Sequence, residues 1–423
     1  MKRYLAFLWD CFRLSFVGDW RYHLWMLVLT LAALTGLYAY CQQFVYGLVT
    51  TGMTDQVSWG AYIANFTYLV GLAAAAAMLV IPVYVYRNLH LHDVVIFGEL
   101  LAVAVIIMCL LFVTVDLGRP DRFMHMLWRF NFPMSMLTWD VIALNGYLLL
   151  NVHICGYLIY CAYRGWEPSK RFYVPFVFIA ILWAVSIHTV TAFLYVGLGG
   201  RPFWNSAIIA PRFLASAFAA GPSFIILTLQ IVRATTRHHV HDDALLTLRQ
   251  IVQVAMVINM FLLACEVFTE FYTDSKHVAS SHYLFLGLHG RHALVPWIWT
   301  AVTMDLVATA LWVLPVSRGL RWLNAACVLS ILGIWIEKGM GLIVPAFVPT
   351  PLGEIVEYQP TVLETLVCLG IWAFGLLLYT IFVRVSVPVL AGEVTYERRL
   401  ARVRGDDALS PAEAASTPRV ASH

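Results

Sequence analysis

The stretch DLGRPDRFMHMLWRFNFPMSMLTWD, from Asp116 to Asp140, is polar and lies between two long apolar segments. It contains three arginines and three acidic residues among aromatic side chains. Asp116 closes one apolar run of membrane-spanning length and Asp140 opens the next, so both carboxylates are predicted near one face of the bilayer. A surface loop would explain the arginines alone. Because ionisable groups at the edge of a membrane span are functional candidates, we predict that Asp116 and Asp140 carry the chemistry of a reactive site.

The rest of the chain is dominated by apolar segments. Of its 423 residues, 61% are hydrophobic and only 12% are charged, which is typical of a polytopic membrane protein. The net charge of +3 is too small to indicate nucleic-acid binding. Ten segments are long enough to span a membrane, and a membrane lipid environment is therefore expected. They are residues 23–50, 58–86, 93–116, 138–163, 172–198, 211–232, 250–271, 292–316, 322–346 and 361–387.

The spacing of these segments repeats along the chain. Each of spans six to nine begins about 150 to 157 residues after the corresponding member of spans two to five. An even number of helices per unit predicts parallel repeats, hence an all-α fold of two four-helix bundles with spans one and ten added. The predicted organisation is an amphipathic cytoplasmic segment 1–22, spans one to five in 23–198, the second bundle in 199–346, an external cap loop and span ten in 347–390, and a disordered cytoplasmic tail 391–423.

Lysines and arginines are distributed unevenly over the predicted loops. With the N-terminus inside, 19 of them fall on the inner side and 8 on the outer side, which predicts that both termini are cytoplasmic. The stretch 116–140 then lies outside, where this bias disfavours arginines. We therefore predict that Arg122 and Arg129 form a docking surface for a partner, and that Arg119 orients Asp116 or a bound ligand.

Four further polar residues are candidates within the predicted helices. Tyr62 and Asn65 are three residues apart at the outer start of span two, hence on one helix face. An ordinary interhelical hydrogen bond is the alternative role for Asn65. Glu99 and Asp305 lie inside spans three and eight. They are predicted either to form a proton route from the cytoplasmic side or to be paired structural groups.

The sequence offers no pattern for a metal site, since none of the eight cysteines forms a C-x-x-C pair. Two functions other than electron transfer through partners stay open at this point. A haem held between His153 in span four and His188 in span five would make the chain a cytochrome b-type anchor. Parallel repeats and intramembrane acids also fit a secondary transporter.

Three motifs carry a resemblance to a known family. They are W-G-x-Y-I-x-N-F at 59–66, D-L-G-R-P at 116–120 and S-x-x-T-W-D at 135–140. With them, nearly all ten helices resemble the NrfD/PsrC-type membrane subunits of respiratory oxidoreductases. The stretch EKGMGLIVPAFVPTPLGEIVEY, residues 337–358, is most similar to the DsrP subunit of the DsrMKJOP complex associated with sulfite reduction.

The resemblance implies a subunit of the bacterial inner membrane that works in dissimilatory sulfur metabolism. It would bind menaquinone or ubiquinone in the first bundle, near the outer face, with no haem or iron–sulfur cluster of its own. A periplasmic ferredoxin-like iron–sulfur subunit would dock there, and further membrane and cytochrome subunits would complete the complex. In the related subunit of alternative complex III a histidine follows the asparagine matching Asn65 by nine residues. Here that position is Ala74, so the resemblance leaves its role to Asp116 or Asp140.

The residues favour quinone chemistry on their own account as well. Quinone chemistry couples two electrons to two protons, so its site needs an apolar slot, hydrogen-bond partners for two carbonyls and a carboxyl with access to water. Tyr62, Asn65, Asp116 and Asp140 are predicted to converge at one face and to meet these needs.

Overall fold

The computed structural model describes residues 2–73, 79–80, 83, 94–129, 131–236, 240–273 and 278–404. In these ranges it contains thirteen helices of eight or more residues and no β-sheet. The helices are α1 Lys2–Leu14, α2 Trp20–Tyr46, α3 Ala61–Ala73, α4 Val95–Asp116, α5 Met136–Arg164, α6 Lys170–Val196, α7 Ile209–Thr235, α8 Asp242–Thr273, α9 Val278–Phe285, α10 Val295–Val313, α11 Leu320–Lys338, α12 Val362–Leu390 and α13 Tyr396–Arg404.

The lengths and composition of these helices confirm a polytopic all-α membrane protein. Within the described ranges, nine helices are long and apolar enough to cross a membrane, and α3 is a shorter apolar helix. A hydrocarbon core of about 30 Å needs about 20 residues of helix, because each residue rises by 1.5 Å and the helix satisfies its own backbone polar groups. The second predicted span, 58–86, runs past the end of α3 into residues that lie mostly outside the described ranges.

The helices pack as two neighbouring groups. In the first group α3 packs against α4, α4 against α5, and α5 against α6. In the second group α7 packs against α8 and α11, and α10 packs against α8 and α11. The groups meet where α7 contacts α3 and α6. This is the arrangement in which polar side chains from one group can face those of the other.

Helices α2 and α12 pack against each other beside the first group, and α12 also contacts α4. Their crossing requires glycine on both helices. A Cβ atom on Gly36 would lie 2.4 Å from the Cα atom of Gly370, and one on Gly370 would lie 2.5 Å from the Cα atom of Gly36. Small residues of this kind let backbones approach closely in a membrane, where there is little hydrophobic force between helices.

Helices α1 and α13 meet at one face of the protein. The Tyr163 hydroxyl at the end of α5 donates to Asp10 Oδ2 at 2.7 Å, and Arg399 of α13 contacts Asp10 Oδ1. The prediction that disorder begins at residue 391 is therefore wrong for 396–404, which are helical because Arg399 and Tyr396 have partners on α1 and α5. Residues 405–423 lie outside the described ranges. We call the opposite face, where α4 ends and α5 begins, the distal face.

The predicted ninth span, 322–346, is interrupted at Gly339. α11 ends at Lys338, and single turns at Met340–Ile343 and Val344–Phe347 follow. A Cβ atom at Gly339 would lie 2.6 Å from the carbonyl oxygen of Trp335 and 3.1 Å from that of Ala64. Only glycine allows the chain to turn so close to α3. The last residues of α11 are buried, and the cap segment 348–361 follows these turns.

Candidate functional site

Four helix ends meet at the distal face. Asp116 ends α4, Asp140 lies in the second turn of α5, Tyr62 is the second residue of α3, and Tyr195 is the next to last of α6. Asp116 and Asp140 both lie close enough to the Tyr195 phenol to act on it electrostatically. Asp116 acts on Tyr62 in the same way. The structure therefore places three of the predicted site residues together and adds Tyr195 to them.

Asp140 is held by one hydroxyl group of α6. It is only 1% exposed, and the Thr191 hydroxyl of α6 donates to its Oδ1 atom at 2.6 Å. One turn further along α6, the Tyr195 hydroxyl lies 2.5 Å from Thr67 Oγ1 of α3. Asp140, Thr191, Tyr195 and Thr67 thus form a row of polar groups across three helices. A buried carboxyl in such a row can accept or donate a proton without a metal ion.

Tyr62 is fixed from the other side by α2. Its hydroxyl donates to Gln43 Oε1 at 2.5 Å, and the Gln43 amide donates to the carbonyl oxygen of Val115 at 2.7 Å. Val115 immediately precedes Asp116. The Oδ1 atom of Asp116 is buried and finds no hydrogen-bond partner in the part of the chain that the structure describes. Because most buried polar atoms are paired, this one marks a place for a ligand or a proton.

Asn65, in contrast, is fully engaged in helix packing. Its Oδ1 atom accepts from the indole nitrogens of Trp335 at 2.9 Å and Trp372 at 2.8 Å. Its amide nitrogen donates to the carbonyl oxygen of Ala61 at 2.8 Å and approaches Cys368 Sγ at 3.7 Å. An amide has two acceptor and two donor positions, and all four are used here. The predicted quinone-binding role of Asn65 is therefore not supported, and the interhelical alternative describes it.

The connection 117–135 between α4 and α5 is called the distal loop, and its arginines are at the surface. Of the two predicted roles of Arg119, contact with Asp116 is not observed, because its guanidinium binds both carboxylate oxygens of Asp121 at 3.0 and 2.9 Å. Hydrogen bonding and charge from Arg119 hold the pKa of Asp121 below its usual value. Arg122 and Arg129 are exposed, as are the nearby apolar side chains of Trp128 and Met134. This combination of charge and apolar area lies directly beside the helix ends that form the site.

A third carboxyl supports the site from α12. Glu364 is 0% exposed, and its Oε2 atom accepts from the Gly52 amide at 3.0 Å. Its Oε1 atom accepts from the Tyr358 hydroxyl and from the Ala61 amide, the latter at 3.3 Å. Burial, and then the Glu364 charge, raise the pKa of Tyr358 well above its usual value, so the phenol stays a donor. Glu364 thus fixes the first residue of α3, next to Tyr62.

The two predicted proton-route residues lie in different groups of helices. Glu99 of α4 is 1% exposed and lies near Tyr147 and Cys155 of α5. Asp305 of α10 is 0% exposed and lies near Glu337 and Lys338 of α11. The structure therefore argues against one continuous route through both residues. Each carboxyl has two oxygens without a hydrogen-bond partner among the described residues.

The two histidines considered for a haem lie at different levels. His153 packs against Phe172 and Phe176, with ring centroids 5.1 and 4.5 Å apart. His188 follows Phe176 by twelve residues on the same helix, which is about 18 Å at 1.5 Å per residue. Its Nδ1 atom lies 2.8 Å from the carbonyl oxygen of Ala184. The two imidazoles therefore do not face one common site.

Comparison with protein families matches residues 49–348 to polysulphide reductase, NrfD. The chain belongs to this NrfD family. It is 26% identical over 392 residues to the Hdr-like menaquinol oxidoreductase integral membrane subunit of Archaeoglobus fulgidus, covering 88% of this chain and 95% of that one. It is 24% identical over 398 residues to a putative dimethyl sulfoxide reductase membrane subunit of Halobacterium salinarum, covering 84% and 88%. One of the polysulfide reductase chains of Wolinella succinogenes is 28% identical over 186 residues, covering 40% and 57%.

The three sequence motifs identified Asp116, Asp140 and Tyr62, but not the residues that hold them in position. Gln43, Thr191, Tyr195 and Glu364 lie outside the three motifs and reach the site from α2, α6 and α12. One feature of the sequence could have indicated Thr191 and Tyr195: they lie near the end of predicted span five, on the same predicted face as the start of span four. Ala74, where alternative complex III carries a histidine, lies outside the described ranges.

Proposed function

We propose that this chain is the quinone-interacting membrane subunit of a respiratory oxidoreductase complex in the bacterial inner membrane. It would exchange electrons between menaquinone or ubiquinone and a periplasmic iron–sulfur partner. The observation that carries the proposal is the Asp116 carboxyl, whose buried Oδ1 atom has no partner within the described ranges and which lies beside Tyr62 and Glu364. Similarity to the menaquinol oxidoreductase subunit of Archaeoglobus fulgidus supports the same substrate class.

The proposed chemistry needs proton acceptors more than redox groups. Oxidation of one quinol releases two electrons and two protons, and reduction of a quinone takes up the same number. We assign the two protons to Asp116 and Asp140, which carry carboxyl groups at the same face. Thr191 orients Asp140, and Gln43 orients the Tyr62 hydroxyl toward the end of α4. The electrons pass to the partner protein at the distal face.

We propose that the quinone reaches this place from the lipid beside α2. On α2 the buried Gln43 is flanked by Phe44, which is 59% exposed, and by the half-buried Tyr40. The Tyr40 and Phe44 rings lie 6.3 Å apart and form an apolar surface next to Gln43. An apolar ring system can dock against such a surface while its oxygen atoms reach the polar groups behind it.

The test is the binding of labelled, redox-inert quinone analogues to the purified chain. Asp140→Asn should weaken the affinity about tenfold or more, because hydrogen bonds to charged groups contribute about 1.5–3 kcal/mol. Asn145→Ala is the matched control, since Asn145 lies on the same helix and bonds to its own turn at Val141. Naphthoquinone and benzoquinone analogues compared side by side would distinguish menaquinone from ubiquinone. Equal affinity in the wild type, Asp140→Asn and Asn145→Ala would contradict the proposed site.

We also propose that the distal loop receives the partner, which would be a periplasmic ferredoxin-like protein with iron–sulfur clusters. This assignment makes the distal face periplasmic and both termini cytoplasmic. Arg122 and Arg129 would supply charge, while Trp128, 76% exposed, and Met134, 83% exposed, would supply apolar contact area. Exposed aromatic side chains beside arginines are typical of contact surfaces. Further membrane and cytochrome subunits, and a role in dissimilatory sulfur metabolism, are supported by the likeness of residues 337–358 to DsrP.

Charge reversal of both arginines should release this partner. Arg122→Glu with Arg129→Glu is expected to reduce the amount of iron–sulfur protein that copurifies with the chain, and the difference from the wild type should shrink as ionic strength rises, because salt screens exposed charge pairs. Arg171→Glu is the control, because Arg171 is exposed at the start of α6, on the face of the termini. Copurification that is unchanged in the double variant at moderate salt would assign these arginines to the fold and not to docking.

A further inference from the structure

The second group of helices contains a set of ionisable side chains that touch one another inside the protein. Arg212 of α7 contacts Glu266 of α8 through Nη1 and Glu337 of α11 through Nη2. Lys338 Nζ lies 2.9 Å from Glu337 Oε1. The side chains of Arg212, Glu337 and Lys338 are 6%, 1% and 3% exposed, and that of Glu266 is 11% exposed. Asp305 of α10 lies near Lys338 and Glu337.

An ion-pair network that only joins helices would be expected to satisfy all of its members. Asp305 does not fit that description, because it is 0% exposed and neither of its oxygens has a hydrogen-bond partner in the described ranges. It also lies against bare backbone, since a Cβ atom on Gly333 would come within 2.2 Å of Asp305 Oδ1. Placing a carboxylate at this depth costs about 2.5–3.5 kcal/mol on insertion scales, so its position calls for a function.

One end of this set opens toward the distal face. A cleft there is lined by Glu266, Arg212 and Glu337, by Glu270 nearer the end of α8, and by Ser281 of α9. The Ser281 hydroxyl donates to Glu270 Oε2 at 3.3 Å. Glu266 lies seven residues before the end of α8, about 10 Å below it at 1.5 Å per residue. Water at the distal surface therefore needs to enter only a short way to reach Glu266.

The other side of the set faces the candidate quinone site. Lys338 lines a second cleft together with Thr67 and Tyr68 of α3. Thr67 is the residue whose hydroxyl lies 2.5 Å from Tyr195, and Tyr195 lies near Asp140. The Tyr68 hydroxyl is buried without a partner in the described part of the chain and lies near Asp305. A path of polar groups thus leads from Asp140 to Lys338 and on to Glu266.

We propose that Glu266, Glu337, Lys338 and Asp305 form a proton relay between the distal cleft and the membrane interior. Each step moves one proton between neighbouring groups, from a carboxyl or ammonium group to the next carboxylate or amine, and no electron moves. Arg212 holds Glu266 and Glu337 in reach of each other. Glu99 is not a member, because it lies in the first group near Tyr147 and Cys155. The connection to Asp140 through Thr67 rests on the proposed quinone chemistry, whereas the relay itself does not.

The relay can be tested without turnover, on the full chain in proteoliposomes adsorbed to a solid-supported membrane. A rapid pH jump should drive protons to Asp305 and give a transient displacement current. Asp305→Asn should abolish this current, and Glu266→Gln should reduce its rate at least about tenfold, as expected when a proton-transfer group is removed. Glu99→Gln is the matched control and should leave the current unchanged, because Glu99 is an equally buried acid whose oxygens also lack a partner within the described ranges.

Each outcome decides the proposal. A wild-type protein without the current, or an Asp305→Asn current equal to that of the wild type, overturns the relay. Where Asp305→Asn does not fold, as judged by the thermal midpoint of the protein, the rate in Glu266→Gln gives the decision, because Glu266 is nearer the surface. Failure of quinone analogues to bind would leave these currents untouched, so the relay and the proposed quinone site fail separately.

Discussion

Arg212→Ala is expected to lower the free energy of unfolding by about 3–5 kcal/mol, the usual cost of removing one partner from a buried ion pair. Arg212 is the cation that Glu266 and Glu337 share. Without Arg212, Glu337 would still pair with Lys338, whereas Glu266 would have no cation among the described contacts. The protein has five buried cysteines, Cys109, Cys155, Cys161, Cys327 and Cys368. A thiol-reactive fluorescent dye added during heating therefore reports unfolding directly.

A second arginine of α7 provides the control. Arg233 pairs with Asp242 at 2.5 Å, but the two side chains are 43% and 71% exposed. Exposed pairs of this kind contribute about 0–1 kcal/mol, so Arg233→Ala should shift the thermal midpoint little. The double variant Arg212→Ala with Glu266→Gln should recover part of the loss, because the stranded charge is removed with its partner. Equal midpoints for Arg212→Ala and Arg233→Ala would show that the buried contacts do not stabilise the protein.

The helices could be predicted from the sequence because length and hydropathy decide them in a membrane. Spans four to seven and span ten start and end within a few residues of the helices observed, except that α8 starts eight residues before the predicted span. The predicted ninth span failed at Gly339 because hydropathy continues through Met340–Phe347 while the backbone turns. That turn depends on contact with α3 at Ala64, and a contact between distant parts of the chain cannot be predicted from the local sequence.

The site could be predicted where its residues lie at the ends of predicted spans and within the three motifs. Asp116 and Asp140 could be identified because one loop, residues 117–135, joins the two helices that carry them. The contacts of Asn65 and Arg119 could not be predicted in the same way. Asn65 accepts hydrogen bonds from Trp335 and Trp372, which come from distant parts of the chain. Arg119 binds Asp121, which is nearer in the chain than Asp116. A side chain with several candidate partners cannot be assigned until their distances are known.

Glu364→Ala is expected to destabilise the protein by at least about 3 kcal/mol, since hydrogen bonds to a charged group contribute about 1.5–3 kcal/mol each and this carboxylate accepts three. The sequence from Thr361 to Glu364 matches a helix capping box, in which the acid would bind its own helix start. Here the Thr361 hydroxyl does accept from the Glu364 amide at 3.2 Å. The Glu364 carboxylate instead binds Gly52, Ala61 and Tyr358.

Loss of the carboxylate should therefore affect the site as well as the fold. Ala61 begins α3 and precedes Tyr62, so releasing its amide frees the helix end that positions the Tyr62 hydroxyl against Gln43. We expect Glu364→Ala to lower the thermal midpoint and to weaken quinone-analogue binding, whereas Glu364→Gln, which keeps one acceptor oxygen, should retain part of both. Glu354→Ala is the control, because Glu354 is exposed in the same cap segment and its loss should change stability by less than about 0.5 kcal/mol. A Glu364→Ala protein with the midpoint of Glu354→Ala would mean that the contacts between the cap and α3 do not hold the site together.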